Sequence, residues 1–166
     1  CPVLRAAPAL RYWRVMTAPT AIRPYGPEDS DRLLAIWLDA SRVGHPFFTE
    51  DQLREQARLV RDIYLPEAEN WVATLEGEPV GFIGLIDNFV GGLFVDPARH
   101  GCGSGRALVE HARRLKGMLE LEVYARNSRA DGFYRHLGFR EIGRRARDDN
   151  GLPFEVVHLR WEQPPS

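Results

Sequence analysis

A turn containing three glycines, placed between an apolar run and a helical pattern, constrains the fold of this chain more than any other feature. The apolar run covers residues 93–95, the glycines alternate with other residues at Gly101, Gly103 and Gly105, and the helical pattern follows directly. Because glycine has no β-carbon, the backbone can turn tightly there and expose successive N–H groups. At the start of a helix such groups attract an anion, most often a phosphate. The sequence therefore predicts a strand, a tight turn and a helix in succession, with the start of the helix as a candidate phosphate site.

The spacing of these glycines excludes two common phosphate-binding motifs. In a Walker P-loop the last glycine precedes Lys and then Ser or Thr, whereas Gly105 precedes Arg106 and Ala107. The dinucleotide fingerprint G-x-G-x-x-G lies near the first strand of its unit, whereas this G-x-G-x-G lies past the middle of the chain. A sharp loop that binds no ligand is the simpler alternative, and the glycines alone do not decide between the two.

Size and charge limit the classes of protein to consider. A chain of 166 residues suggests one domain that buries roughly 70% of its unfolded surface, so that neither a metal nor a disulfide is needed for stability. The formal net charge of -1 gives no electrostatic basis for binding nucleic acid or an anionic membrane. No apolar run approaches the roughly 20 residues of a membrane span. The two cysteines, Cys1 and Cys102, favour a reducing cytoplasm over a disulfide-stabilised fold.

The first residues differ in composition from the remainder of the chain. Residues 1–15 contain three arginines and no acidic residue, and Arg5 interrupts their apolar stretch, which argues against a signal peptide. We expect residues 1–15 to form a disordered N-terminal extension and residues 16–166 to form the domain.

Periodicity along residues 20–162 predicts an α+β fold. The order is one strand, two helices, three strands, a helix, a strand, a helix and two strands, which favours a mixed, mostly antiparallel central sheet flanked by about four helices. The second helix begins at a capping box of Thr49 and Gln52, carries Tyr64 at helical spacing and ends before Pro66.

Two predicted strands lead directly into helices, one at Val95 and the other at Val123, and ligands of mixed sheets favour such strand ends. At the second of these transitions Asn127 lies beside the start of a helix, and Tyr134 lies about two turns into that helix. Each residue alone has an ordinary structural explanation. Asn127 is a suitable helix cap, and Tyr134 is a suitable core aromatic with a solvated hydroxyl.

Together the two blocks resemble the GNAT superfamily of acyl-CoA-dependent N-acyltransferases. In that family a strand, the pattern [Gln/Arg]-x-x-Gly-x-[Gly/Ala] and a helix are followed by a strand, an Asn, a helix with a Tyr, and Gly-Phe. The resemblance covers Leu93–Phe139. Within the family, the chain looks like the bacterial peptidyl-lysine or amino-acid N-acetyltransferases. One position departs from the pattern, since the family's Gln or Arg is His100 here and Arg99 precedes it.

The resemblance implies that acetyl-CoA is the cosubstrate, that no metal takes part, and that a neutral amine attacks the thioester directly. It implies that N–H groups of the glycine turn hold the pyrophosphate and that Phe94 and Val95 pair with the pantetheine. It also implies that Asn127 orients the pantetheine or the coenzyme A arm. Tyr134 would protonate the departing thiolate as general acid. The residues expected at the cofactor are Phe94, Val95, Arg99, His100, Gly101, Gly103, Ser104, Gly105, Arg106, Asn127 and Tyr134.

The general base is less defined by the sequence. The residues with suitable chemistry are His45, Glu50, Asp87, His100 and His158. We assign the role to His45, because its loop between the first two helices walls the acceptor side in the family, and because histidine titrates in the right range. A loop histidine without a role, or a water relay, are the alternatives. Cys102 lacks an indicated activating partner, which argues against an acyl-cysteine intermediate.

Three readings of function follow from the sequence. The leading one is an N-acetyltransferase for a primary amine, and the others are a non-catalytic acyl-CoA sensor on the same fold and a binder of a different nucleotide. The acceptor is a small molecule or a protein: a protein lysine or N-terminus, an amino acid, a polyamine or an aminoglycoside. Phe47, Phe48 and Tyr64 either shape the acceptor pocket or belong to the core. A monomer and a homodimer are both compatible with the sequence.

Overall fold

The computed structural model describes residues 20–99, 101 and 103–165. The predicted extension over residues 1–15 and the residues His100 and Cys102 therefore lie outside the described part of the chain.

The strands and helices follow the predicted order. The strands are β1 (Ala21–Pro24), β2 (Glu69–Leu75), β3 (Glu78–Ile86), β4 (Phe89–Val95), β5 (Met118–Tyr124), β6 (Arg140–Arg145) and β7 (Val156–Glu162). The helices are α1 (Ser30–Gly44), α2 (Glu50–Leu59), α3 (Leu65–Glu67), α4 (Ser104–Lys116) and α5 (Ser128–His136). A π-helical turn at Val60–Tyr64 joins α2 to α3 in one continuous helical segment.

The second helical segment confirms one prediction and corrects another. The Thr49 hydroxyl accepts a hydrogen bond from the Gln52 amide at 3.1 Å, and the Gln52 side chain accepts one from the Thr49 amide at 2.8 Å, so the capping box is present. The predicted helix end before Pro66 is wrong, since helical structure continues to Glu67. The π-helical turn just before Pro66 replaces the regular i to i−4 hydrogen bonds that a proline would break, since the Leu65 amide donates to the Val60 carbonyl oxygen five residues earlier.

All seven strands form one sheet in the order β1-β2-β3-β4-β5-β7-β6. Every neighbouring pair is antiparallel except β4 and β5, which confirms the predicted mixed, mostly antiparallel sheet. The parallel pair is short. Phe89 lies opposite Glu120 and Val90 lies opposite Leu121, after which the two strands have no further register. The sheet therefore splits between β4 and β5.

Two apolar clusters hold the helices against opposite faces of the sheet. On one face α4 contributes Leu108 and Ala112, which pack on Ile83 of β3 and Leu121 of β5. On the other face α1 and α2 pack against strand residues such as Phe82. Alternation along the strands assigns successive side chains to opposite clusters, as the two-residue period requires. No helix in the described ranges is both long enough and apolar enough to cross a bilayer.

Candidate active site

A cleft of about 930 Å³ opens where β4 and β5 separate. Its walls are the unpaired ends of these two strands, the C-terminal part of α1, the α2–α3 segment, and the starts of α4 and α5. Beyond Val90 and Leu121, β4 and β5 no longer pair with one another. The facing backbone edges, Gly91–Val95 and Glu122–Tyr124, are therefore open to an extended ligand that pairs like an added strand. Phe94 and Val95, predicted at the cofactor, lie on this open edge.

The glycine turn forms one end of the cleft. Gly101 has a φ of +85° and Gly103 a φ of +84°, while a β-carbon added to either would meet no atom within 4 Å. Backbone conformation rather than space therefore requires glycine at both positions. Gly103 is the N-cap of α4 and supplies no side-chain hydrogen bond to the first turn of the helix. The N–H groups that begin α4 are available to an anion.

The side chains around this turn place positive charge beside it. Arg99, Arg106 and Arg129 line the same end of the cleft. None of the three forms an ion pair with a carboxylate within the described ranges. The Ser104 hydroxyl is buried and has no hydrogen-bond partner among the described residues, so a buried polar group is left for a ligand to satisfy.

Tyr134 lies deeper in the cleft, on α5. Its ring packs against Phe133 and Phe139, with ring centroids 5.1 and 5.4 Å away, and the residue is buried. Burial, with a smaller contribution from Tyr64, raises the pKa of the Tyr134 hydroxyl well above its ordinary range. The phenol is therefore protonated at neutral pH, and the same shift makes it a weaker acid than a solvated tyrosine.

Asn127 caps a helix and also lines the cleft. Its Oδ1 accepts a hydrogen bond from the Ala130 amide at 3.1 Å and caps α5. The same side chain lines the cleft and reaches the end of α1, since a β-carbon on Gly44 would lie 3.2 Å from its Nδ2. The cap fixes the side chain while leaving Nδ2 as a donor at the cleft wall.

His45 lines the cleft but sits among aromatic rings. Its ring centroid lies 5.2 Å from that of Tyr124 and 5.7 Å from those of Phe47 and Phe48. Burial lowers the pKa of His45 to about 4. The imidazole is therefore neutral at physiological pH, which a base requires, yet its low pKa makes it a weak one. Phe47 and Phe48 do not line the cleft, and their rings pack against His45. Tyr64 does line the cleft.

The remaining candidates for a base that the structure describes lie away from the cleft. Glu50 pairs with Arg42 at 3.1 Å on the exposed surface. Asp87 occupies the β3–β4 turn, where its φ is 55°. His158 lies on β7 with its Nε2 2.9 Å from Glu120. Residues 20–99, 101 and 103–165 contain no cluster of three or more His, Cys, Asp or Glu side chains placed to hold a metal ion.

Glu122 is a cleft residue that was not singled out from the sequence. It lies on β5 just past the split and lines the cleft, and Arg145 donates hydrogen bonds to both of its carboxylate oxygens. Arg145 also donates to Asp149, 2.8 Å away, so that one guanidinium fixes two carboxylates at the cleft wall. The sequence did contain a signal, because alternation over Leu119–Tyr124 places Glu120 and Glu122 on the more solvated face of the strand.

The split sheet, the anion-binding helix start and the buried phenol define an acyltransferase fold, and comparison with known proteins specifies the family. The family model described as an acetyltransferase (GNAT) domain matches residues 66–141. The peptidyl-lysine N-acetyltransferase YjaB of Escherichia coli is 39% identical over 142 residues, which cover 85% of this chain and 96% of the relative. The peptidyl-lysine N-acetyltransferase YiaC of the same organism is 35% identical over 75% of this chain and 86% of its own length. The chain belongs to the GNAT acetyltransferase family.

Solved structures agree with this assignment. The solution structure of apo YjaB from Escherichia coli superposes with a TM-score of 0.81 at 38% identity, covering 88% of this chain and 99% of that one. The PaiA N-acetyltransferase of Thermoplasma acidophilum, solved with coenzyme A, shares the fold with a TM-score of 0.70 at 18% identity, covering 84% of this chain and 98% of that one. The resemblance seen in the sequence is confirmed, and the protein is an N-acetyltransferase.

Proposed function

We propose that this protein transfers the acetyl group of acetyl-CoA to the side-chain amine of lysine residues in proteins. The observation that carries the proposal is the arrangement of one cleft, with an anion-binding helix start at one end and the protonated phenol of Tyr134 deeper inside. Acetyl-CoA has the matching order of groups, a pyrophosphate separated from a thioester by an extended arm. The names of the relatives YjaB and YiaC support lysine as the acceptor.

The residues at the glycine turn fit the diphosphate of coenzyme A. The N–H groups that start α4 and the uncapped turn before them would hold its oxygens, and Arg99, Arg106 and Arg129 would balance its charge. The buried Ser104 hydroxyl would gain the partner that it lacks. The arm would then pair with the open edge of β4 at Phe94 and Val95, as the resemblance implies.

The reaction needs few groups of the protein. A neutral amine attacks the thioester carbonyl, a C–N bond forms, and the C–S bond breaks to release the thiolate. A backbone N–H on the open β4 edge would stabilise the developing oxyanion, a contribution of about 3–4 kcal/mol in other acyl transfers. Tyr134 would donate its proton to the thiolate, and a positioned acid typically contributes about 10²–10⁴-fold in rate.

The proton of the incoming ammonium requires an acceptor on the opposite wall. His45 is neutral but weakly basic, and it is enclosed by aromatic rings. Glu122 lines the cleft as a carboxylate fixed by Arg145. A carboxylate attracts a cationic amine, whereas a neutral imidazole does not. Glu122, directly or through a water molecule, is therefore the candidate for attracting the ammonium, and His45 stays a prediction for the base.

The test is an acceptor screen with the purified full chain and acetyl-CoA, in which released thiol and peptide mass are both measured. Lysine peptides with a blocked N-terminus should gain about 42 Da, the net change when an acetyl group replaces a hydrogen, faster than free amino acids or a polyamine react. Tyr134→Phe should lower kcat while the KM for acetyl-CoA changes little. Thermal stabilisation by acetyl-CoA without transfer to any amine would instead support the sensor function, and absence of stabilisation would overturn the proposal.

A further inference from the structure

Tyr64 lines the cleft but has no part in the reaction just described. It ends the π-helical turn Val60–Tyr64 that joins α2 to α3. A π turn inserts an extra residue into a helix, and such turns are frequent at functional sites. Here the turn presents the Tyr64 ring to the sheet at the bulged region of β3 and β4, where their register shifts between Gly84 and Leu85.

Two glycines make room for this ring. A β-carbon on Gly91 would lie 1.5 Å from the Tyr64 hydroxyl oxygen, and one on Gly84 would lie 2.6 Å from the ring atom Cε1. The hydroxyl donates a long hydrogen bond, 3.4 Å, to the Gly84 carbonyl oxygen. The phenol thus occupies the space that side chains at both positions would take.

This space lies at the narrow end of the split. Val90 is the last residue of β4 in register with β5, so Gly91 is the first residue of β4 beyond the pairing. Tyr134 belongs to the core cluster on the α4–α5 face of the sheet, whereas the α2–α3 segment that carries Tyr64 packs on the other face. The two phenols therefore line the cleft from opposite faces of the sheet.

We propose that the Tyr64 phenol limits the length of the acyl group that the enzyme transfers. The inference rests on the proposed function. An arm that pairs with β4 at Phe94 and Val95 runs toward the narrow end of the split, and the acyl carbons beyond the carbonyl then meet the Tyr64 hydroxyl. An acetyl methyl is the shortest acyl chain and needs the least of this space, while each added methylene must displace the phenol. One methylene in a filled pocket typically changes selectivity by roughly 10–200-fold.

The test compares acetyl-, propionyl- and butyryl-CoA with one amine acceptor in each variant. Tyr64→Phe removes the oxygen that lies nearest Gly91 and should raise the propionyl-to-acetyl ratio of kcat/KM by about 10-fold, while Tyr64→Ala should also admit butyryl-CoA. The ratio is taken within each variant, so a loss of folded protein cancels. Tyr25→Phe and Tyr25→Ala are matched controls, since Tyr25 packs against the α1–α2 cluster without lining the cleft, and their ratios should equal that of the wild type.

The failures of the two proposals are distinguishable. If the wild-type protein transfers no acetyl group, the proposed function fails. If it transfers acetyl but uses butyryl-CoA equally well, or if the ratios in Tyr64→Phe and Tyr64→Ala match the wild type, the acyl-length role is overturned. A changed KM for the amine with an unchanged acyl ratio also overturns it, because Tyr64 would then contact the acceptor. Should Tyr64→Ala not fold, Tyr64→Phe alone decides.

Discussion

The hydroxyl oxygen of Tyr64 lies 1.5 Å from the point that a β-carbon on Gly91 would occupy, so the two residues share one volume at the narrow end of the cleft. Neither residue can be enlarged while the other stays in place. The glycine of β4 is thus required by a side chain 27 positions earlier rather than by its own backbone conformation, because its φ does not fall in the left-handed region.

The shared volume predicts a coupling between these two positions. Gly91→Ala alone should lower the free energy of unfolding by about 1–3 kcal/mol, because the phenol must move out of a packed site. In a Tyr64→Ala background the same substitution should cost much less. Urea unfolding of the four proteins of this cycle measures the coupling, and additive effects would contradict the shared volume.

Gly103 should contribute to cofactor binding beyond its contribution to stability. Gly103→Ala places a β-carbon in a left-handed backbone and should cost about 1–2 kcal/mol of stability. Gly77→Ala is the matched control, since Gly77 has a φ of +82° and equally open surroundings in the turn between β2 and β3. Calorimetry with coenzyme A should show weaker binding for Gly103→Ala only. Equal affinity in both variants would exclude the turn from the binding site.

Burial of His45 should make the protein less stable in mild acid. The pKa of His45 is about 4 in the folded state against 6.5 unfolded, so between these values the unfolded chain binds more protons. The free energy of unfolding should therefore fall as pH drops from about 6.5 to 4, by at most about 3 kcal/mol. His45→Phe, which retains an aromatic ring, should flatten this slope.

Urea titrations between pH 4.5 and 7.5 measure the slope in both proteins. Glu141, whose pKa is held at about 2 by Arg144 and Arg135 against an ordinary value of 4.5, adds to the slope only near the lower end of this window and adds equally in both proteins. An identical slope in wild type and His45→Phe would show that His45 is not the cause.

The charge of Glu122 should affect kcat/KM for the amine but not for acetyl-CoA. Glu122→Gln keeps the shape of the side chain but removes its charge, and it should lower kcat/KM for the amine by about 10²-fold. Glu120→Gln is the matched control, because Glu120 lies two residues earlier on the same strand face, next to His158 and Arg160, and does not line the cleft. Steady-state kinetics with the amine as varied substrate separates the two, and equal losses would exclude a specific role.

Mutation can separate the two groups of the Asn127 side chain, the Oδ1 that caps α5 and the Nδ2 that is left as a donor at the cleft wall. Asn127→Ala should lose about 1 kcal/mol of stability, because the Ala130 amide loses its acceptor. Asn127→Asp keeps that acceptor and should stay as stable as the wild type. If Nδ2 orients the cofactor arm, both variants raise the KM for acetyl-CoA. An unchanged KM in Asn127→Asp would mean that the residue acts only as a cap.

Local patterns predicted the elements well, since their causes lie within a few residues. The alternation over Leu119–Tyr124 gave β5, and the Thr49–Gln52 pair gave the start of α2. The glycine turn and Tyr134 both line the cleft that the structure shows. The predicted end at Pro66 failed, because nothing local indicates the π turn at Val60–Tyr64 that lets helical structure continue past the proline.

Contacts between residues far apart in the sequence decided the properties of the other two site residues, His45 and Glu122. Histidine at position 45 indicated a base from its usual pKa, but the rings of Phe47, Phe48 and Tyr124 remove water from it. In the sequence, Glu120 and Glu122 are two similar acids on one solvated strand face. The split of the sheet places only Glu122 at the cleft.

By itself, the sequence determined the order of strands and helices, the conformation of the glycine turn and the family, because these depend on backbone preferences and short spacings. Only the tertiary structure decided where the sheet splits, which acid and which phenol reach that split, and how strongly each is desolvated. Those properties arise from residues far apart in the chain that share one volume, as Tyr64 and Gly91 do, and no local pattern encodes a shared volume.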